Sequence, residues 1–480
     1  MANFNLGRRR TIATILGAPL ALGSAAIKSS AQTVAPGDPG NDARMRGRLS
    51  VLDFIPPNLH RAIRAGRARD DLTACFHAAA VAANADIVDE AGSGGSVFVP
   101  NGTYYIDRVG IRDTIFQGEN QHGTILRPVG PGQPDEFMLD AMLDRDGRTR
   151  NTAGGGWVTN LTIDAARSGR SCLRTYGGGV RATRLTLIGG AVGLSAGLPI
   201  WAVFENIHAR DCSTGFETFA VEPGDSGTST SFRNCWAQNA KKYGFRISQL
   251  GYSSFINCAG QDSGEANFFV EGDRNGSPAV YSLQFIGCGS EGYGTPFRFR
   301  RCRDLSVIGP RVIGPDNKHD YLVMDDSAGS IRDYSTPAPL PTGRHHIAVI
   351  NHGSGAGSIL LEDCTVSFEP NVASAFTIIG GAANGIPGIQ ASRMRWMDAG
   401  RSADAAIDQR NGAPFLTLST NGRAMVAFGL DGGTILNGAR VDDPGRLLQP
   451  GDYMIEVLDG GGAVLHLKDR SGAVRRISLG

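Results

Sequence analysis

The 480-residue chain is poor in the compact signatures that usually announce an activity. It has no His-Glu-x-x-His pair and no phosphate loop, which excludes zincin-like proteases and P-loop nucleotide enzymes. No Cys-x-x-Cys pair and no Cys/His set has zinc-ligand spacing, so a zinc site is not expected. Charged residues make up only 19% of the chain, and no basic tract is interleaved with aromatics. Nucleic acid is therefore not an expected partner. No long apolar run follows the first thirty residues, so a mature chain crossing a membrane by helices is not expected either.

What is abundant is glycine, 66 residues, nearly double the usual share of about 7%. With it comes a repeated phrase. Phe232-Arg-Asn-Cys235, Phe255-Ile-Asn-Cys258, Phe285-Ile-Gly-Cys288 and, more loosely, Leu361-Glu-Asp-Cys364 each place an apolar residue three positions before a cysteine. A period of 20–30 residues, with short apolar runs and turn residues, is the mark of a coiled β-solenoid. Phe204-Glu-Asn-Ile-His-Ala-Arg-Asp211 aligns with the first three phrases. Asn206, Asn234 and Asn257 then fall at a bend, since Asn tolerates the left-handed conformation. Cys235, Cys258 and Cys288 share one phase, which predicts a buried ladder of free thiols rather than disulfides. Phe216, Phe245, Phe268 and Phe297 follow as an inward aromatic column.

The N-terminus reads as an export leader. Arg8-Arg9-Arg10 precedes the apolar run 11–26 and the small residues Ser29-Ser30-Ala31, and the arginines suggest the twin-arginine type. Losing residues 1–31 removes four cations and no acid, leaving 43 basic against 46 acidic residues. The expected layout is a leader at 1–31, a linker at 32–47, an N-terminal cap and first coils at 48–135, further coils at 136–370 and a β-rich C-terminal region at 371–480. About nine coils are expected between 155 and 370. The last region, with hairpin signals at Tyr453–Gly462 and Val464–Val474, is also the candidate for homo-oligomer formation.

Between residues 50 and 130 the order of features is informative. Val51-Leu-Asp-Phe54, Asp70-Asp71, an Ala-rich amphipathic helix from Leu72 to Ala83, Gly94-Gly95-Ser-Val-Phe-Val-Pro100-Asn-Gly-Thr-Tyr104 and Ile115-Phe-Gln-Gly118 follow one another. This resembles the N-terminal portion of the pectate-lyase-like superfamily. One departure is clear: that group usually has Gly-Ala-x-Gly-Asp-Gly soon after the Asp-Phe, where this chain has Ile55-Pro-Pro-Asn-Leu-His60 and a basic insert to Arg69. The resemblance implies an all-β, right-handed parallel β-helix (solenoid) with an N-terminal capping helix, to which the hairpin signals add a β-rich C-terminal cap. It also implies a polysaccharide partner, as in lyases, epimerases, glycoside hydrolases and tailspikes of that group.

A β-helix builds its site across coils, so candidates are read down columns. One column is Arg210, Gln238, Gln261, Glu291; the next is Asp211, Asn239, Asp262, Gly292; a third is Glu217, Arg246, Phe269, Arg298. β-Elimination in an acidic polysaccharide needs a cation to offset the uronate carboxylate and a base to take the adjacent proton. Lys242, Arg246 and Arg298 are the cation candidates; Tyr243, Tyr293, His208 and Lys241 are the base candidates. Hydrolysis by paired carboxylates stays open as well. Asp211 and Asp262 lie two coils apart, roughly 9.6 Å from the strand spacing, near the wide end of the inverting range of about 6.5–9.5 Å. Asp262 and Glu291 lie one coil apart, closer to the retaining separation of about 5–5.5 Å. Substrate-binding candidates are His208, Arg210, Trp236, Gln238, Arg246, Gln261, Arg298 and Arg300, with Trp236 as a sugar platform. Asp316 and Asp325-Asp326 are the candidate Ca²⁺ ligands, without an EF-hand or nonapeptide repeat around them. A non-catalytic carbohydrate-binding or structural surface role is the remaining alternative.

Overall fold

The computed structural model describes in full residues 49–84, 95–143, 156–272 apart from 221 and 223, 280–314, 318–334, 347–348 and 473, and otherwise the backbone of the strands up to Ser478. The leader and the linker lie outside the described residues. No helix among the described residues is long and apolar enough to cross a membrane.

The chain winds as a parallel β-helix. Ile115, Trp157, Arg181, Val203, Ser231, Ser254, Gln284, Ser306, Ser330 and Leu360 stand in one continuous register column. Nine members, Trp157 to Leu360, fall between residues 155 and 370, where about nine coils are expected, and the column runs on to Gln390. Parallel pairing continues through Ser392–Asp398, after which Arg401–Arg410, Ala413–Thr420 and Arg423–Gly429 pair antiparallel. Tyr453–Val457, Ala463–Lys468 and Val474–Ser478 form a separate three-stranded antiparallel sheet, where the hairpin signals were.

Three walls make up each coil. Wall A carries Ser231–Arg233, Leu250–Ile256 and Val280–Ile286; wall B carries Trp236–Gln238, Ala259–Gln261 and Gly289–Glu291; wall C carries Thr214–Phe219, Tyr243–Ser248, Ala266–Glu271 and Thr295–Arg300. Walls A and B meet at Asn206, Asn234 and Asn257, with φ of 55°, 50° and 51°, and at Gly287, with φ of 61°. Asn and Gly enter this conformation at low cost, and Asn234 Nδ2 also donates to Asn206 Oδ1 at 3.2 Å. Walls B and C meet at Asp211, Asn239, Asp262 and Gly292, again all left-handed.

Two aromatic files fill the bore. Phe216, Phe245, Phe268 and Phe297 stack from wall C at 4.6, 4.6 and 4.9 Å between ring centroids. Phe204, Phe232, Phe255 and Phe285 stack from wall A at 4.7 Å throughout. The files meet edge to face, near 90°, the arrangement the ring quadrupoles favour. Each buried ring stabilises the fold by about 1.5–3 kcal/mol through area alone. The cysteine ladder lies alongside. Cys235, Cys258 and Cys288 are free and fully buried, and each thiol donates to the carbonyl of the preceding coil's phenylalanine, Phe204, Phe232 and Phe255, at 3.4–3.5 Å. Burial pushes the Cys258 and Cys288 thiols up, so they are structural rather than reactive.

One end of the bore is closed by helices. The helix Thr73–Ala83 (α2) inserts Phe76 against Tyr104 and Phe116. It covers strand edges that would otherwise template pairing. Asp71 lies just outside its first turn and accepts the Thr73 N–H at 2.9 Å. The expected amphipathic stripe is not there: alanines surround the helix, and its contact rests on Phe76, Ala79 and Ala80. The basic insert holds a second helix, Pro57–Arg64 (α1), which proline starts and Ile63 anchors.

Candidate functional site

Wall B gathers six of the candidates on one outward face. The register pairs His208 with Trp236 and Arg210 with Gln238, then Gln238 with Gln261 and Gln261 with Glu291. Alternation along each strand sends Ala209, Ala237 and Ser290 inward and leaves these residues outside. His208 is half-buried and its ring stacks on the Trp236 indole at 4.6 Å and 9°. Burial lowers its pKa, against the opposing effect of its hydrogen bond to Gln238 Oε1. The imidazole is therefore neutral at neutral pH.

A chain of amides fixes its tautomer. Gln238 donates through Nε2 to Gln261 Oε1 at 3.4 Å, which turns Gln238 Oε1 toward His208 Nε2 at 3.2 Å. This network assigns the proton to Nε2 and leaves the lone pair on Nδ1. The loop Glu119–His122, which the repeat alignment does not include, bonds to Thr162 and Thr186, the members of the column that precede His208. The Gln121 carbonyl accepts from Thr162 Oγ1 at 2.6 Å, and Gln121 Nε2 donates to Thr186 Oγ1 at 3.1 Å. His122 lies close enough to add to the lowering at His208.

Beyond Trp236 the column empties. Its next members are Ala259 and Gly289, followed by Arg311. A Cβ built on Gly289 would meet nothing within 4 Å. The result is a recess two rungs long, roughly 10 Å. It has the exposed Trp236 face at one end, Arg311 at the other, and Gln261 and Glu291 along the side. Arg210, Glu291 and Arg311 form no ion pair among the described residues.

The remaining candidates stand elsewhere. Asp211 and Asp262 occupy the corner between walls B and C at φ of 57° and 53°. Their carboxylates belong to the corner ladder: Asp211 Oδ1 accepts from Asn239 Nδ2, and Asp262 Oδ1 accepts from the Tyr293 N–H, both at 3.3 Å. Lys242 lies exposed on the loop beside that corner, and Tyr293 protrudes with 62% of its surface exposed.

Tyr243, Arg246, Arg298 and Arg300 lie on wall C. There the outward column is Ser195, Glu217, Arg246, Phe269, Arg298. Tyr243 stacks on Phe269 at 5.1 Å. Burial, with a hydrogen bond to Glu265, pushes its phenol up to about 12, so it keeps its proton at neutral pH and is a donor, not a base. Arg300 is held by Glu271 at 3.4 Å and Asp325 at 3.6 Å. Asp325, read from the sequence as a calcium ligand, is a buried counter-ion for Arg298 and Arg300; Asp316 lies outside the described residues. No group of acids, histidines or cysteines among the described residues is placed to hold a metal.

Gly193-Leu-Ser195-Ala-Gly197 spells the pattern of a nucleophile elbow, but it lies inside the strand Val192–Ile200. The pattern works only at a sharp strand-to-helix turn. Ser195 is buried and donates to Glu217 at 2.7 Å, so it is a strand residue.

No family model matches this chain, and no curated protein matches its sequence. Solved structures do match its shape. The A-module of Azotobacter vinelandii mannuronan C-5 epimerase AlgE6 superposes with a TM-score of 0.56 at 13% identity, covering 72% of this chain and 91% of that one. The AlgE4 A-module superposes with 0.53 at 14% identity, covering 72% and 94%. At such identities the likeness establishes the fold: a parallel β-helix, the architecture that the N-terminal resemblance implied.

Proposed function

We propose that this chain is an exported, polysaccharide-active β-helix protein that holds an acidic glycan along wall B and cleaves it by β-elimination. The observation that carries the reading is the placing of the half-buried His208 imidazole two residues from Arg210, a cation with no ion pair among the described residues, on one outward strand, with Trp236 stacked on the imidazole. In this reading Arg210 meets the uronate carboxylate and acidifies the adjacent C–H. His208 Nδ1 takes that proton. The electron pair forms the new C=C bond and expels the glycosidic oxygen, which is protonated by solvent. Trp236 and the recess over Ala259 and Gly289 hold the next sugar ring. Carbohydrate-acting neighbours of the same fold support a glycan partner, and the leader read from residues 1–31 supports export.

Hydrolysis through Asp211 and Asp262 is less favoured, because both carboxylates already serve the corner ladder. Incubation of the purified protein with polygalacturonate, alginate and other acidic polysaccharides tests the reading. An ultraviolet band from unsaturated uronate, lost in His208→Ala, is expected. New reducing ends without that band would establish hydrolysis instead. Binding without cleavage would reduce the protein to a carbohydrate-binding role.

A further inference from the structure

The corner where wall C returns to wall A carries a feature that wall B does not explain. Gly179, Trp201, Ser229, Tyr252, Ser282 and Asp304 each sit two positions before a member of the register column that runs from Arg181 to Ser306, and all six are left-handed. Small or Asx residues suit this geometry. Trp201 and Tyr252 do not, with φ of 53° and 46°. A bulky aromatic residue there is a genuine outlier, and the strain is usually offset by burial. Here it is not: Trp201 is 51% exposed and Tyr252 64%. Backbone strain kept at so exposed an aromatic residue is ground for a functional hypothesis.

The surroundings indicate the ligand. The two rings stand two rungs apart, roughly 10 Å, with the hydroxyls of Thr228 and Ser229 between them. Tyr252 is braced edge-on by Tyr281 at 5.0 Å. Beside this ridge, two residues on along each strand, runs an outward lane that is apolar at Val203, beside Trp201, and polar from there on, at Ser231, Ser254, Gln284 and Ser306. Flat aromatic faces spaced along an axis, with a parallel lane of hydroxyl and amide groups, offer stacking and hydrogen bonds in the alternation a sugar chain presents. Interrupted by a serine rung, they do not make the contiguous apolar patch that a second protein copy buries, about 800 Å² on each side.

We propose that this corner is a second glycan-binding track, remote from His208, along which a linear polysaccharide lies parallel to the coil axis with sugar rings stacked on Trp201 and Tyr252. The double variant Trp201→Asn/Tyr252→Asn tests it, because Asn tolerates the left-handed corner. Affinity electrophoresis through gels containing polygalacturonate or the neutral polymer hydroxyethyl cellulose reads binding and separates an acidic from a neutral preference. Retardation of the native chain by one of them, weakened tenfold or more in the variant, is expected. The melting temperature should stay level or rise as strain is released, and any turnover of short acidic oligosaccharides should be unchanged. Equal retardation of both proteins, no retardation of the native chain by either polymer, or a sedimentation shift showing that the variant has lost self-association instead, would overturn the proposal. Loss of turnover in His208→Ala with retardation intact would separate this track from the wall B site.

Discussion

Walls B and C are built from the same coils, yet they spend their polar groups differently. On wall C the charges answer one another. Asp140 is fully buried, gripped by Arg174 through Nε at 2.8 Å and Nη2 at 2.5 Å and approached by Arg108 at 3.5 Å. Asp325 faces Arg298 and Arg300, and Glu271 faces Arg300 and Arg301. On wall B the amide chain ends on a neutral histidine, and Arg210 and Glu291 face solvent with no ion pair among the described residues. The lesson is that density of charge is a poor guide to a site. A column that satisfies itself holds the coils in register, while a column with unspent donors and an empty rung can accept a ligand.

The comparison breaks most easily at its extremes. Asp140→Ala leaves Arg174 without its counter-ion beside a buried position, and about 3–5 kcal/mol of stability should be lost; urea unfolding would show it, with turnover per folded molecule unchanged. His208→Ala should do the reverse, lowering turnover by about 10²–10⁴ with little change in the urea midpoint. The native rate should also fall as pH drops through the lowered pKa of His208, because protonation removes the base. The midpoint of that acid limb must lie below the ordinary histidine value of about 6.5, and a pH–rate profile checks it. A Cβ at Gly289 meets nothing within 4 Å, so Gly289→Trp should occupy the recess and raise KM about tenfold, the equivalent of ~1.4 kcal/mol, with kcat nearly kept. Asp262→Asn should be the quietest, within about 0.5 kcal/mol in stability and about twofold in rate, since Asn already occupies the same corner at Asn239. A collapse of activity there would move the chemistry to the corner carboxylates.

The coils were readable because their determinants are local and repeated. The Phe-x-Asn-Cys phrase fixes an inward ring, a left-handed bend and an inward thiol within four residues, and each recurs at the coil period. The outward columns followed from the same alignment, including His208 over Trp236 and Gln238 over Gln261. What the alignment did not convey was emptiness. Ala259 and Gly289 stand in it directly after the cysteines, yet that a Cβ at Gly289 would meet nothing within 4 Å depends on distant loops. The pairing of Arg300 with Glu271 and Asp325 was hidden for a similar reason: its partners come from coils on either side, 29 and 25 residues away. Gln121 and His122 reach wall B from a loop 86 residues before His208, beyond any periodic signal. The strained Trp201 and Tyr252 were concealed because nothing in their neighbours' identities reveals a left-handed backbone.

The most direct test uses Trp236 as its own reporter. In a chain whose other tryptophans are replaced (Trp157→Phe, Trp201→Phe, Trp396→Phe), titration with a saturated acidic oligosaccharide should quench and shift the Trp236 emission, saturably and in parallel with inhibition of polymer turnover. Inhibition with the Trp236 emission unmoved would place the glycan away from wall B and contradict the account.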